Sequence, residues 1–180
     1  MKPQQLLMLF LLVLLGACAS NNYSKQEIYN LKNAVSSKEF ELNFESANPY
    51  SSSSLNAINT LLPVGRRSGN ISIIGNINYF KIIRDSLSID LQYFGERHLV
   101  EHYNEKDNTI NFKGKFNKEE LQYNTKKKTY ELKFWFKNNQ ESCWVNLTLF
   151  PNKKAFMILN SNARSGISYT GVWNTLDFND

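Results

Sequence analysis

The feature that most constrains this chain is a strict two-residue alternation of apolar and polar side chains in short segments. In Glu39-Phe40-Glu41-Leu42-Asn43-Phe44-Glu45 one face is apolar and the other mostly acidic. In Ser86–Tyr93, Leu87, Ile89, Leu91 and Tyr93 share one face while Ser86, Ser88, Asp90 and Gln92 share the other. A strand places successive side chains on opposite faces, so this period describes a half-buried β-strand and no helix. Comparable segments follow at Asn78–Ile83, Thr109–Phe116, Glu120–Asn124, Thr129–Lys137, Ser142–Phe150, Lys154–Leu159 and Gly166–Trp173. Short polar turns separate many of them, among them Arg84-Asp85, Lys126-Lys127-Lys128, Asn138-Asn139-Gln140 and Pro151-Asn152-Lys153. Strands so spaced read as hairpin neighbours in an antiparallel meander. A sheet of about nine or ten strands must curl into a barrel or fold into a sandwich. Asn occurs 24 times and Ala only 7 times, which argues against a helical bundle. The expected class is all-β or mainly β.

One short helix precedes the strands. Lys25–Ser37 carries Ile28, Leu31, Ala34 and Val35 at helical spacing, and Ser24 with Glu27 forms a capping-box pattern. Ala47–Ser54, with Pro49 and four consecutive serines, reads as a loop, and Gly65–Gly69 as a turn. Leu55–Leu62 fits either a strand or a helical turn. No composition break calls for a second domain, so residues 25–180 are read as one unit. Its expected core includes Leu42, Phe44, Ile89, Leu91, Leu132, Phe134, Leu147 and Ile158.

Ahead of this unit, Met1-Lys2-Pro3 is followed by the unbroken apolar run Leu6–Leu15 and then Gly16-Ala17-Cys18. Ten helical residues span about 15 Å, half the ~30 Å needed to cross a bilayer. The length and the basic start fit a secretory signal peptide over residues 1–17. Leu15-Gly16-Ala17-Cys18 resembles the lipobox of bacterial lipoproteins. That resemblance implies a diacylglycerol thioether on Cys18, cleavage before it, acylation of the new amine, and a lipidated tether over residues 18–24. Two or three acyl chains make a stable anchor where one is marginal. Ala19-Ser20-Asn21-Asn22 lacks an acidic run, so the expected site is the periplasmic face of the outer membrane.

With Cys18 consumed by lipid, Cys143 has no disulfide partner. It lies at Ser142-Cys143-Trp144-Val145 without a neighbouring His or cation to form a thiolate, so it reads as a buried, inert core residue. His98-Leu99-Val100-Glu101-His102 has the H-x-x-E-H spacing of an inverted zinc-peptidase motif, which requires a helix. In extended chain the two imidazoles lie roughly 13 Å apart and cannot share an ion. They read as surface-loop histidines, and neither a metal nor a cofactor is expected. Gly65-Arg66-Arg67-Ser68-Gly69 lacks the central serine of a nucleophile elbow. Asp85, Asp90, Glu96 and Glu101 could supply paired carboxylates only if the fold set two across a cleft.

The net charge of +5 is too mild to imply nucleic acid. Lys126-Lys127-Lys128 and Lys153-Lys154 sit at hairpin tips, where a solvated or headgroup-facing role comes before nucleic acid. More telling are aromatics on both faces of two strands. Tyr130, Leu132, Phe134 and Phe136 share one face, and Trp135 takes the other. Cys143, Val145, Leu147 and Leu149 oppose Trp144 and Phe150. Trp135, Trp144 and Phe150 are therefore the candidate ligand-facing residues.

Several segments together carry a family resemblance: Gly75–Leu87 leading into Leu91-Gln92-Tyr93-Phe94-Gly95-Glu96-Arg97, then Tyr130–Phe134, Leu149-Phe150-Pro151-Asn152, and Arg164-Ser165-Gly166-Ile167-Ser168-Tyr169-Thr170-Gly171. Their order resembles the Bacteroidetes-type lipoproteins grouped as domain of unknown function 4251, over about Glu39 to Trp173. Tyr93-Phe94-Gly95 and Ile167–Gly171 are the most diagnostic pieces. The resemblance implies a cell-envelope location and supplies no catalytic residues. The expected function is a non-enzymatic binding or structural role toward an apolar ligand or an envelope partner protein. The alternative is an envelope-polymer hydrolase using carboxylates or histidine in a cleft.

Overall fold

A computed structural model describes residues 22–50, 69–98, 108–138 and 141–176. The leader, Cys18, Leu55–Leu62, Arg66–Ser68, Glu101 and His102 lie outside the described residues.

The helix, α1, spans Lys25–Ser37 as its spacing predicts. Ser24 Oγ accepts the Glu27 backbone N–H at 3.1 Å, while the Glu27 carboxylate accepts the Ser24 N–H at 2.7 Å. This reciprocal pair satisfies two donors that a helix start leaves orphaned. Leu31, Ala34 and Val35 are buried, and the helix stops at Lys38, whose φ of 54° lies in the left-handed region.

Among the described residues ten strands follow: β1 Glu39–Pro49, β2 Ile71–Ser72, β3 Tyr79–Ile83, β4 Ser86–Gln92, β5 Thr109–Lys115, β6 Lys118–Asn124, β7 Thr129–Asn138, β8 Glu141–Leu149, β9 Lys154–Ser161 and β10 Ile167–Thr175. All pairings are antiparallel, in the order β5-β4-β3-β1-β10-β9-β8-β7-β6, with the two-residue β2 alongside β1. The protein is mainly β, one sheet curled into a half-barrel. Rings meet across its inside: Phe80 and Phe134 at 6.0 Å, Phe112 and Phe136 at 4.5 Å, Phe116 and Phe134 at 5.2 Å.

Among the described residues consecutive strands fail to pair at two places: β2 and β3 both lie along β1, and β5 and β6 take different neighbours. β5 and β6 are separated only by Phe116 and Asn117, yet they do not pair and form the two ends of the sheet. The Phe116 N–H donates to Asp85 O beside β4, and the next N–H, of Asn117, donates to Trp135 O of β7. The chain thus changes neighbour between consecutive residues without turning back, so no hairpin forms.

Two local readings are corrected. Residues 47–49, read as loop because of Pro49, are the end of β1. Tyr50 N–H donates to Gly166 O, so the missing Pro49 N–H falls on the alternate side, past the β2 pairing. Ile158, expected in the core, stands half-buried on the outer face, while Ala155, Met157 and Leu159 point inward. β9 is apolar on both parities, so alternation alone could not choose. β2 was not foreseen because two residues are too few to show a period.

A bulge in β1 lies where its edge opposite β10 passes from β3 to β2. Phe44 pairs Gly171 and Ser46 pairs Thr170, leaving Glu45 extra. Glu45 O accepts the Ile73 N–H at 2.9 Å, just past the β2 pairing. Gly171 is required here: a Cβ would lie 2.1 Å from Asn43 O.

Candidate functional site

Inward-facing residues alternate along every long strand and fill the half-barrel. Phe40, Phe80, Phe134, Tyr169 and Trp173 are its largest fully buried side chains. At one end α1 adds Leu31, Ala34 and Val35, and Trp173 Nε1–H donates to Phe150 O at 2.8 Å. Lys153 Nζ lies 3.8 Å from the Trp173 ring centre.

The opposite end is closed by polar groups, which form the densest polar cluster among the described residues. Arg164 Nε–H faces both Glu141 oxygens at 3.0 and 3.2 Å, with the two side chains only 5% and 13% exposed. Arg164 Nη1 also donates to Thr109 O at 3.3 Å, and the guanidinium lies 5.1 Å from the Tyr93 ring centre. A guanidinium over a ring face gains cation–π attraction in addition to its ion pair. The Arg164 and Ala163 N–H groups both donate to Ser161 Oγ, which holds the bend leading into this site.

Tyr93 supplies the second knot. Its hydroxyl lies 2.8 Å from Glu96 O, 2.9 Å from Ser165 O and 3.0 Å from Ser165 Oγ. Ser165 Oγ accepts the Glu96 N–H at 2.9 Å, and Ser165 N–H donates to Glu96 O at 2.8 Å. Gly95 makes room for this knot: a Cβ there would lie 2.3 Å from the Tyr93 hydroxyl and 2.6 Å from Ser165 Oγ. The His98 N–H donates to Ala163 O, extending a short ribbon between 96–98 and 163–165. Beneath it, the fully buried Tyr169 donates to Gln92 O at 2.8 Å, and Asn78 Oδ1 accepts the Gln92 N–H at 2.8 Å.

Burial raises the Tyr93 and Tyr169 phenols above their ordinary range, so both stay protonated donors. Burial, with the Glu141 carboxylate adding to it, pushes the Cys143 thiol up to about 12. Cys143 is a buried neutral thiol, as its surroundings in sequence suggested. These groups hold the chain together and expose no activated nucleophile.

The other candidate residues are dispersed. Trp135 and Trp144 are register partners on the outer face of β7 and β8, with Lys118 Nζ 4.7 Å from the Trp135 ring centre. Trp144 is 37% exposed. Phe150 shares that outward parity but lies six residues along, roughly 20 Å away, half-buried beyond the end of β8. The three do not form one patch. His98 is exposed on the extended ribbon, not on a helix. Asp85 sits in the β3–β4 turn with Lys115 Nζ at 2.5 Å, Asp90 lies on the outer face of β4, and Glu96 belongs to the ribbon. Among the described residues no group of three His, Cys, Asp or Glu is placed to hold a metal ion. No helix among them is long and apolar enough to cross a membrane.

Sequence reasoning missed the Arg164–Glu141 pair. Glu141 opens β8 next to Ser142, and Arg164 lies in the polar Ser161–Gly166 stretch between β9 and β10, so neither charge stood out in sequence. Two of the segments that carried the family resemblance, Leu91–Arg97 and Arg164–Gly171, are brought together here.

A mainly β half-barrel, closed by a helix at one end and by polar groups at the other, is the class of protein these features define. The chain belongs to the family described as Domain of unknown function (DUF4251), which it matches over residues 22–173. Among solved structures it is similar to the crystal structure of a DUF4251 family protein from Bacteroides eggerthii DSM 20697. That likeness has a TM-score of 0.58 at 12% identity and covers 83% of this chain and 88% of that one. It establishes a shared fold. No curated protein matches the chain.

Proposed function

We propose that this chain is a lipid-anchored cell-envelope protein, acylated at Cys18 and held at the periplasmic face of an outer membrane. Its role is non-enzymatic, binding or organising a partner protein through its outer surface. The anchor rests on the Leu6–Leu15 run and the Gly16-Ala17-Cys18 ending. The observation that carries the choice of surface over interior is the filled half-barrel, with Phe40, Phe80, Phe134, Tyr169 and Trp173 within it. A container for an apolar ligand needs ~300 Å³ or more of enclosed space. Clefts of that size formed by the described residues lie at the surface, for example beside Asn43, Phe44 and the Ile74–Tyr79 turn at about 380 Å³. The densest polar cluster supports a non-enzymatic reading too, because Arg164, Glu141, Tyr93 and Ser165 are engaged with one another.

Mass spectrometry of the amino-terminal peptide tests the anchor. The expected result is an acylated Cys18 as first residue and loss of membrane partitioning in Cys18→Ser; an unmodified start elsewhere refutes it. Native mass spectrometry tests the surface reading. A stoichiometric apolar molecule retained by the purified chain would overturn it, and the bare acylated mass is expected.

A further inference from the structure

The two ends of the sheet are finished differently. On β5, Asn138 Nδ2 donates to Asn111 O at 2.9 Å and Arg164 Nη1 donates to Thr109 O at 3.3 Å. Side chains thus cover carbonyls that an added strand would use. β6 pairs only with β7, and among the described residues no group hydrogen-bonds the backbone of its other edge. Leu121 and Tyr123 share the inward parity of buried Leu132 and Phe134, yet they are 50% and 37% exposed. The Tyr123 ring packs against Tyr130 at a tilt, centroids 4.8 Å apart, so the apolar face continues to the edge and stops there uncovered.

Charge usually protects such an edge. Here it is confined to Lys118, Glu119 and Glu120, and each is already engaged. Lys118 pairs with Glu120 at 2.7 Å, and Glu119 pairs with Lys38. Leu121-Gln122-Tyr123-Asn124 carries no charge.

We propose that β6 docks against β6 of a second copy of this chain, antiparallel across a two-fold axis at Leu121. The strand is self-complementary in that register. Leu121 meets Leu121 of the second copy, Glu119 meets Tyr123, Glu120 meets Gln122, and Lys118 meets Asn124, so no like charges face each other. Centring the axis on Glu120 instead would set that carboxylate against itself. Centring it on Gln122 would leave Lys118 and Glu119 without opposite residues in the strand. One strand edge buries less than the ~1,200–2,000 Å² of a standard stable interface, so association is concentration-dependent. It is independent of the anchor and can be read in detergent-solubilised full chain.

The test is disulfide trapping with the full chain. Residues directly opposite in antiparallel strands have Cα atoms about 4.5–5.5 Å apart, within the range a disulfide spans. Leu121→Cys should give an oxidant-trapped dimer at least about ten-fold more abundant than Thr148→Cys, on the outer face of central β8, and than the unsubstituted chain. Equal trapping at both positions, or trapping of 121 to a different envelope protein with no self-dimer, would overturn the proposal. Sedimentation gives a second reading without cysteine. Leu121→Lys should keep the native circular dichroism and shift the concentration-dependent dimer to monomer. A wild-type chain that stays monomeric up to about millimolar, or a dimer indifferent to Leu121→Lys, would also overturn it.

Discussion

The half-barrel is shut at its two ends by opposite kinds of chemistry. At the α1 end, Leu31, Ala34 and Val35 lie on apolar strand residues, and the closure is non-directional. At the other end, Arg164, Glu141, Tyr93, Ser165 and Tyr169 close the structure with directional bonds, each donor aimed at a named acceptor. An apolar plug tolerates change of shape at roughly constant volume. A buried polar clasp fails when one member loses its charge or reach, because its partner is left desolvated and unpaired. The difference locates where this fold is brittle.

The largest effect is expected from breaking the ion pair one side at a time. Arg164→Met or Glu141→Leu should cost about 3–5 kcal/mol in denaturant unfolding, since either leaves a buried charge uncompensated. At the apolar end Leu31→Ala should cost about 2–5 kcal/mol, but the volume-conserving Leu31→Met less than about 1.5. The contrast is sharpest between these conservative changes, and equal tolerance at both ends would erase it. Tyr93→Phe, which keeps the ring and removes one hydroxyl, should cost about 1–3 kcal/mol. Ser24→Ala, on the cap of α1, should cost about 1 kcal/mol.

Alkaline pH probes the clasp end through Cys143. Its folded thiol titrates above its ordinary value near 9, at about 12. Between those values the unfolded chain has lost the proton that the folded chain keeps. Stability contributed by burying the neutral thiol is present below about 9 and lost as pH rises toward 12. Cys143→Ala should flatten that decline, and the native thiol should resist a thiol reagent at pH 8 until the chain unfolds. Rapid labelling of the native protein would contradict the burial.

Much of this architecture was legible because the inside of a half-barrel selects one parity. Leu87, Ile89 and Leu91 point inward as their alternation predicts, and the capping box fixed the start of α1. Where both parities are apolar the pattern lost its power, and Ile158 was assigned to the wrong side. The seam between β5 and β6 was invisible for a different reason: nothing local distinguishes a two-residue hairpin turn from a two-residue change of neighbour. The clasp was beyond reach as an assembly, since Tyr93 and Ser165 lie 72 positions apart and Arg164 and Glu141 lie 23 apart. Only the fold brings together charges that, in sequence, look like ordinary strand-end residues.

The central claim is that Arg164, from the β9–β10 connection, and Glu141, at the start of β8, meet to close the polar end of the fold. A double-mutant cycle on Arg164→Met and Glu141→Leu, read by equilibrium denaturant unfolding, tests it most directly. The account predicts strong coupling, with the double variant recovering at least about 1.5 kcal/mol relative to the sum of the single losses, because removing both charges leaves neither stranded. Additive losses, or single variants as stable as the parent chain, would contradict it.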